Sequence, residues 1–106
     1  MALNLKSAAP ILAELGNETR LAIVRLLVRA GDDGLTVGDV QRATGVPAST
    51  LSHHLQRLRS VGLVTRTRDG SVLWCRADIE RIRKVADFLI EECCADQKPS
   101  RSRSAA

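Results

Sequence analysis

The spacing of apolar positions changes repeatedly along the chain, and each change marks the boundary of an element. Ile11, Leu12 and Leu15 share one side of a short helix over residues 10–15, which stops at Gly16. Asn17 can cap a second helix, with Glu18 in its positive first turn. Leu21, Ile23, Val24, Leu26, Leu27 and Val28 make that helix apolar over much of its circumference, which predicts a core helix. The run Gly31-Asp32-Asp33-Gly34 breaks it. Thr36 and Asp39 then offer a capping box ahead of Val37, Val40 and Ala43, predicting a third helix of about two turns. Gly45 closes that helix and Pro47 opens the next, as a tight helix-to-helix connection requires.

Residues 47–61 govern the reading of the whole chain. With about 100° per residue and Leu51 at the centre of one side, Leu55 and Leu58 fall within about 40° of it and complete a buried stripe. Ser49, His53, Gln56, Arg57 and Ser60 fall opposite, with Thr50 and Ser52 on the flanks near the N-terminal end. All are hydrogen-bonding side chains. A recognition helix enters the major groove with its N-terminal residues nearest the base edges, where short hydroxyls, amides and Arg reach bases and phosphates. An ordinary surface helix is polar outside as well, so the flanking segments decide between the two.

Past Gly62, β-branched and aromatic residues lie on both sides of Asp69-Gly70, the dipeptide favoured in two-residue hairpin turns, so residues 63–75 read as a two-stranded wing. Arg66 and Arg68 alternate with Thr65 and Thr67 and project from one face near the hairpin tip. Two guanidiniums there suit phosphate or minor-groove contact, although arginines also keep an edge strand soluble. Asp78 can cap a last helix running to about residue 94, whose Ile79, Ile82, Ala86, Leu89 and Cys93 follow a heptad-like spacing. Val85, Phe88 and Ile90 widen this seam beyond what so small a body can cover, which predicts a dimerisation surface. The expected fold is mainly α with a small β-hairpin: a winged helix-turn-helix of five helices plus a two-stranded wing, dimeric through its terminal helices. Residues 1–95 form this domain, and residues 96–106, without apolar period, form a disordered basic tail.

Composition narrows the function classes. The 106 residues carry a net charge of +4, and its location matters more than its size. Eight basic residues face three acidic ones between positions 57 and 84, while the segments on either side are balanced or slightly acidic. A basic patch confined to the fourth helix, the wing and the start of the last helix is the footprint of a polyanion. Neither a signal peptide nor a membrane span is visible, which predicts a cytoplasmic protein with no membrane partner, whose Cys75, Cys93 and Cys94 are thiols or metal ligands rather than disulfides. An enzyme is not expected: no Ser/His/Asp order, carboxylate pair or phosphate-cradling glycine loop occurs.

With these segments in place the chain resembles the arsenic-repressor (ArsR/SmtB) family of small winged-helix regulators over roughly residues 10–95. The resemblance is carried by residues 15–27 (LGNETRLAIVRLL), by Ser52-His53-His54-Leu55, by Gly62-Leu63-Val64 and by Arg68-Asp69-Gly70. It implies a homodimeric repressor that sits on double-stranded operator DNA and leaves when an inducer binds. Ser49, Thr50, Ser52, His53, Gln56 and Arg57 would take the DNA role.

The metal sites best known in that family do not carry over. Thr36 and Gly38 stand where arsenic sensors have cysteines, and the last helix has no His for the zinc pattern. His53 and His54 are adjacent and belong to the DNA-reading helix, so they make a poor metal pair. Cys93-Cys94 remains, where some relatives respond to arsenite or related soft ions, and vicinal thiols chelate such ions well. No cofactor is needed for DNA binding, and As(III) or Sb(III) is the candidate inducer. A pyramidal trivalent ion prefers three sulfurs. Cys75 lies eighteen residues before Cys93, a helical length of about 27 Å, so a third sulfur would come from the other chain. Alternatively two sulfurs suffice, the pair is read by oxidation or persulfidation, or Cys93 is a small seam residue and Cys94 has no role. A winged-helix module that binds proteins without DNA or ligand is the remaining reading.

Overall fold

Asn4, Asn17, Thr36 and Asp78 each accept a backbone N–H from the third residue of a helix, so short polar side chains start four of the five α-helices. The structure, a computed structural model, describes residues 2–98. Its order is α1 (Leu5–Leu15), α2 (Glu18–Ala30), a 3₁₀ turn (Gly31–Asp33), β1 (Leu35–Thr36), α3 (Val37–Thr44), α4 (Ala48–Ser60), β2 (Val64–Asp69), β3 (Val72–Ala77) and α5 (Ile79–Ile90). At Thr36 both halves of the capping box form, Thr36 Oγ1 accepting from the Asp39 N–H and Asp39 from the Thr36 N–H. Gly45 takes the left-handed conformation at φ 72° and donates its N–H to the Gln41 carbonyl, turning the chain sharply between α3 and α4.

The core is drawn from every layer. Ile11 of α1, Ile23, Val24 and Leu27 of α2, Val40 of α3 and Leu51, Leu55 and Leu58 of α4 are buried together with Leu63, Val64, Cys75 and Val85. The three leucines of α4 hold that helix against the body by one face, as the stripe predicts. Burial of each stabilises the fold by roughly 1.5–3 kcal/mol relative to exposure.

Several expectations need correction. The first helix begins at Leu5 rather than at residue 10, because Asn4 and Ser7 form a reciprocal capping box and Pro10 is carried inside the helix. Residues 5–9 show little apolar period, since Ala8 is their sole buried side chain. The wing belongs to a three-stranded antiparallel sheet of order β1-β3-β2, not to a two-stranded hairpin, with Leu35 opposite Cys75 and Thr36 opposite Trp74. A two-residue strand has no alternation to read; pairing creates it. The pairing of Asp69 with Val72 makes Gly70-Ser71 the hairpin loop, one position beyond Asp69-Gly70. In α2, Leu21 and Val28 lie at the surface, so its apolar character exceeds its buried face.

The last helix also differs. α5 ends at Ile90, and residues 91–96 form consecutive turns, so Cys93 and Cys94 sit beyond the helix and not on its seam. Glu91 and Glu92 oppose the negative end of the helix dipole, and no basic residue occupies its last turn to offset them. Val85, expected to widen the outer seam, is turned into the core of its own chain. Of the tail expected over residues 96–106, Asp96 closes the turns, and residues 99–106 lie outside the described residues.

Candidate nucleic-acid interface

α4 carries its polar residues on the side away from Leu51, Leu55 and Leu58. Ser49, Thr50, Ser52, His53, Gln56 and Arg57 are all exposed, and Ser60 continues the face. Pro47 precedes the helix without any side-chain cap, which leaves the first backbone N–H groups beside Ser49 and Thr50 open to an outside acceptor. His54 differs from its neighbour. It is partly buried, with its Nδ1 3.4 Å from Nη1 of Arg20, and burial followed by the charges of Arg20, His53 and Arg57 holds its pKa below the ordinary 6.5.

Arg57 is bound by a partner that sequence spacing did not point to. Its Nε donates to Oε1 of Glu14 at 2.8 Å and its Nη2 to Oε2 at 3.2 Å, a two-pronged pair across 43 positions. Arg20 reaches the same residue, with Nε 2.7 Å from the Glu14 carbonyl oxygen and 3.3 Å from Oε1. The hydrogen bond from Arg57 is the main reason that the Glu14 carboxyl lies below its usual range. One carboxylate at the end of α1 therefore joins α2 and α4. Nothing local in the sequence marks Glu14, because the contact exists only after three helices pack.

Arg66 and Arg68 lie exposed on one face of β2, as the alternation predicts. On the other face Arg76 of β3 donates through Nη1 to Thr67 Oγ1 at 2.7 Å and through Nε to the Asp32 carbonyl at 2.8 Å, bracing the wing against the 3₁₀ turn. Arg81 reaches the Val61 carbonyl from α5 and braces the end of α4. These arginines are structural ties, whereas Arg66 and Arg68 have no salt-bridge partner among the described residues.

The three thiols are in two environments. Cys75 is buried opposite Arg66, and burial pushes its pKa up. Cys93 and Cys94 are exposed, with Sγ atoms 3.4 Å apart and Cys94 at φ 64°. Among the described residues no group of three or more His, Cys, Asp or Glu side chains is placed to hold a metal ion. The pair thus offers two sulfurs, and Cys75 is not a third within the chain. Of the expected seam, Ile79 and Ile82 are half-buried, Ile82 against the core, while Ala86 and Leu89 are exposed. None of the helices among the described residues is long and apolar enough to cross a membrane.

Known proteins share this fold. Residues 15–67 match a family described as a helix-turn-helix domain, a span that ends inside the wing. The chain is 43% identical over 61 residues to a protein of Halobacterium salinarum named for arsenical resistance operon repression, ArsR2, covering 58% of this chain. It spans about half the length of that relative. It is 38% identical over 89 residues to the transcriptional regulator YgaV of Escherichia coli, covering 84% of this chain and 88% of that one. A homodimeric winged helix-turn-helix DNA-binding domain from Mycobacterium bovis superimposes with a TM-score of 0.66 at 29% identity, over 92% of this chain and 90% of that one. A helix-turn-helix braced by a three-stranded wing, with this similarity along most of its length, makes the chain a member of the ArsR/SmtB family of winged helix-turn-helix regulators.

Proposed function

We propose that the chain is a homodimeric repressor that binds double-stranded operator DNA without a cofactor and leaves it when a thiophilic ion such as As(III) or Sb(III) is taken by Cys93 and Cys94. The carrying observation is the division of α4 into a buried leucine stripe and an exposed face of Ser49, Thr50, Ser52, His53, Gln56 and Arg57. These side chains meet the major groove and the phosphates along it, while Arg66 and Arg68 bind the flanking backbone or minor groove. The family consists of transcription regulators rather than enzymes. Its work on DNA belongs in the cytoplasm, where thiols stay reduced.

Dimerisation rests on α5 and α1, which pack on each other and leave Leu89, Ile90 and Leu5 exposed at 61%, 66% and 78%. The similar domain from Mycobacterium bovis is described as homodimeric. A twofold pair of α4 helices would meet half-sites about one helical turn apart. Residues 1–95 act as one DNA-binding and dimerisation domain. The inducer reading is supported by relatives named for arsenical and cadmium resistance and by two exposed sulfurs within 3.4 Å. Two thiolates satisfy an ion that keeps another ligand of its own, and a trivalent ion taking three draws the third from elsewhere. The same proximity favours a second reading, in which peroxide or a persulfide oxidises the pair and releases the operator.

A mobility-shift assay on the DNA upstream of the gene, with arsenite, antimonite, peroxide and persulfide in parallel, tests both. Release by the metalloids that disappears in a Cys93→Ser/Cys94→Ser protein supports the first reading, and release by oxidants alone supports the second. Release unchanged by the double substitution removes the thiol switch. If function survives Arg57→Ala/Arg66→Ala/Arg68→Ala, the protein is instead a protein-interaction module.

A further inference from the structure

Arg57 stands in the last turn of α4, on the exposed face with His53 and Gln56, and is 47% exposed. Its partner Glu14 is only 15% exposed and is gripped from the other side by Arg20, itself 13% exposed. Glu14, His53, Gln56, Arg57 and Ser60 together line a shallow hollow on that face. A guanidinium has five N–H groups, and Glu14 engages two of them through Nε and Nη2. Three remain for another acceptor. Without a brace, an exposed Arg would have to lose the freedom of a long side chain each time it bound.

We propose that Glu14 is a positioning residue for DNA binding: from the end of α1 it holds the Arg57 guanidinium in one orientation, so that the remaining N–H groups meet a phosphate oxygen of the duplex. This rests on the DNA-binding reading above. Charge alone gives the opposite expectation. A carboxylate on a DNA-facing surface repels phosphate, so its removal should tighten binding. The paired geometry reverses the sign, because Arg20 and Arg57 leave the cluster net positive while the fork orders Arg57 in advance. Arg57 sits far from the N-terminal end of α4, where base edges are read, which favours a backbone phosphate as its target. The same contact ties α1 to α4, so the orientation of Arg57 follows the position of α1.

The test uses a labelled duplex of about 30 base pairs, selected by the wild-type protein from a randomised pool. Anisotropy titrations across a salt series would compare wild type, Glu14→Gln, Arg57→Ala, Arg57→Lys and Glu14→Gln/Arg57→Ala, with urea unfolding of each as a control for folding. The expected result is that Glu14→Gln weakens binding about tenfold and lowers the salt slope by about one, although it makes the protein more positive. Arg57→Lys, which keeps the charge but not the fork, should behave like Glu14→Gln. In the Arg57→Ala background Glu14→Gln should no longer weaken binding, because only the relief of charge repulsion is left. Equal or tighter binding by Glu14→Gln alone overturns the proposal, as does a weakening that persists without Arg57. Failure of the wild-type protein to bind any duplex at low salt overturns the DNA reading itself and this proposal with it.

Discussion

Single residues set local terms that a pattern of apolar positions does not contain. Gly34 has φ 71° and ψ −172°, a region essentially restricted to glycine, and a Cβ there would lie 2.5 Å from the Cys75 carbonyl oxygen. Gly34→Ala should therefore cost about 3 kcal/mol and loosen β1 from β3, read as a lower urea midpoint. His54 makes a pH-dependent contribution. Its folded pKa is lowered, so between that value and the ordinary 6.5 the unfolded chain binds more protons. Stability present above pH 6.5 is consequently lost as the pH falls below it. The urea midpoint of the wild type should drop on going from about pH 7.5 to about pH 5.5, and His54→Gln should flatten that drop. An unchanged slope in the variant would assign the effect to other groups. Glu14, also depressed, acts in a separate window: its contribution is present above 4.5 and lost as acid protonates it.

At the scale of elements, the fold is legible in the sequence where one side of a helix has to be buried. Leu51, Leu55 and Leu58 define α4 because a 3.6-residue period has one solution once the stripe is apolar. It is not legible where an element depends on a neighbour. β1 exists only as the third strand on β3, and Leu35-Thr36 alone has no recognisable period. The wing's charges make a test at this level. Arg66 and Arg68 project from one face of β2, and if each neutralises one phosphate, Arg66→Ala/Arg68→Ala should reduce the salt slope of DNA binding by about two. Thermal stability should hardly change, since both side chains are exposed. An unaltered slope would mean that the wing does not touch the backbone.

For the molecule as a whole, the question is what covers α1 and α5. Of the residues read as an outer seam, Val85 and much of Ile82 are used inside the chain, leaving Ala86, Leu89 and Ile90 outside. Leu89→Glu/Ile90→Glu should convert a dimer to a monomer in sedimentation at micromolar concentration and weaken binding to a two-half-site duplex far more than to a single half-site. The monomer should remain folded, because both side chains are exposed within one chain. A dimer of unchanged mass would place the interface on another face.

The amino-acid order by itself determined the helix-turn-helix, the caps of α2 at Asn17 and of α3 at Thr36, the polar face of α4, the hairpin and the basic segment, because each follows from local periodicity, capping or turn chemistry. Tertiary structure alone decided the third strand, the inward turn of Val85, the release of Cys93 and Cys94 from the end of α5 and the grip of Glu14 on Arg57. The physical reason is range. Periodicity and capping act over a few neighbouring residues, whereas a carboxylate 43 positions away meets its arginine only when the helices between them have packed.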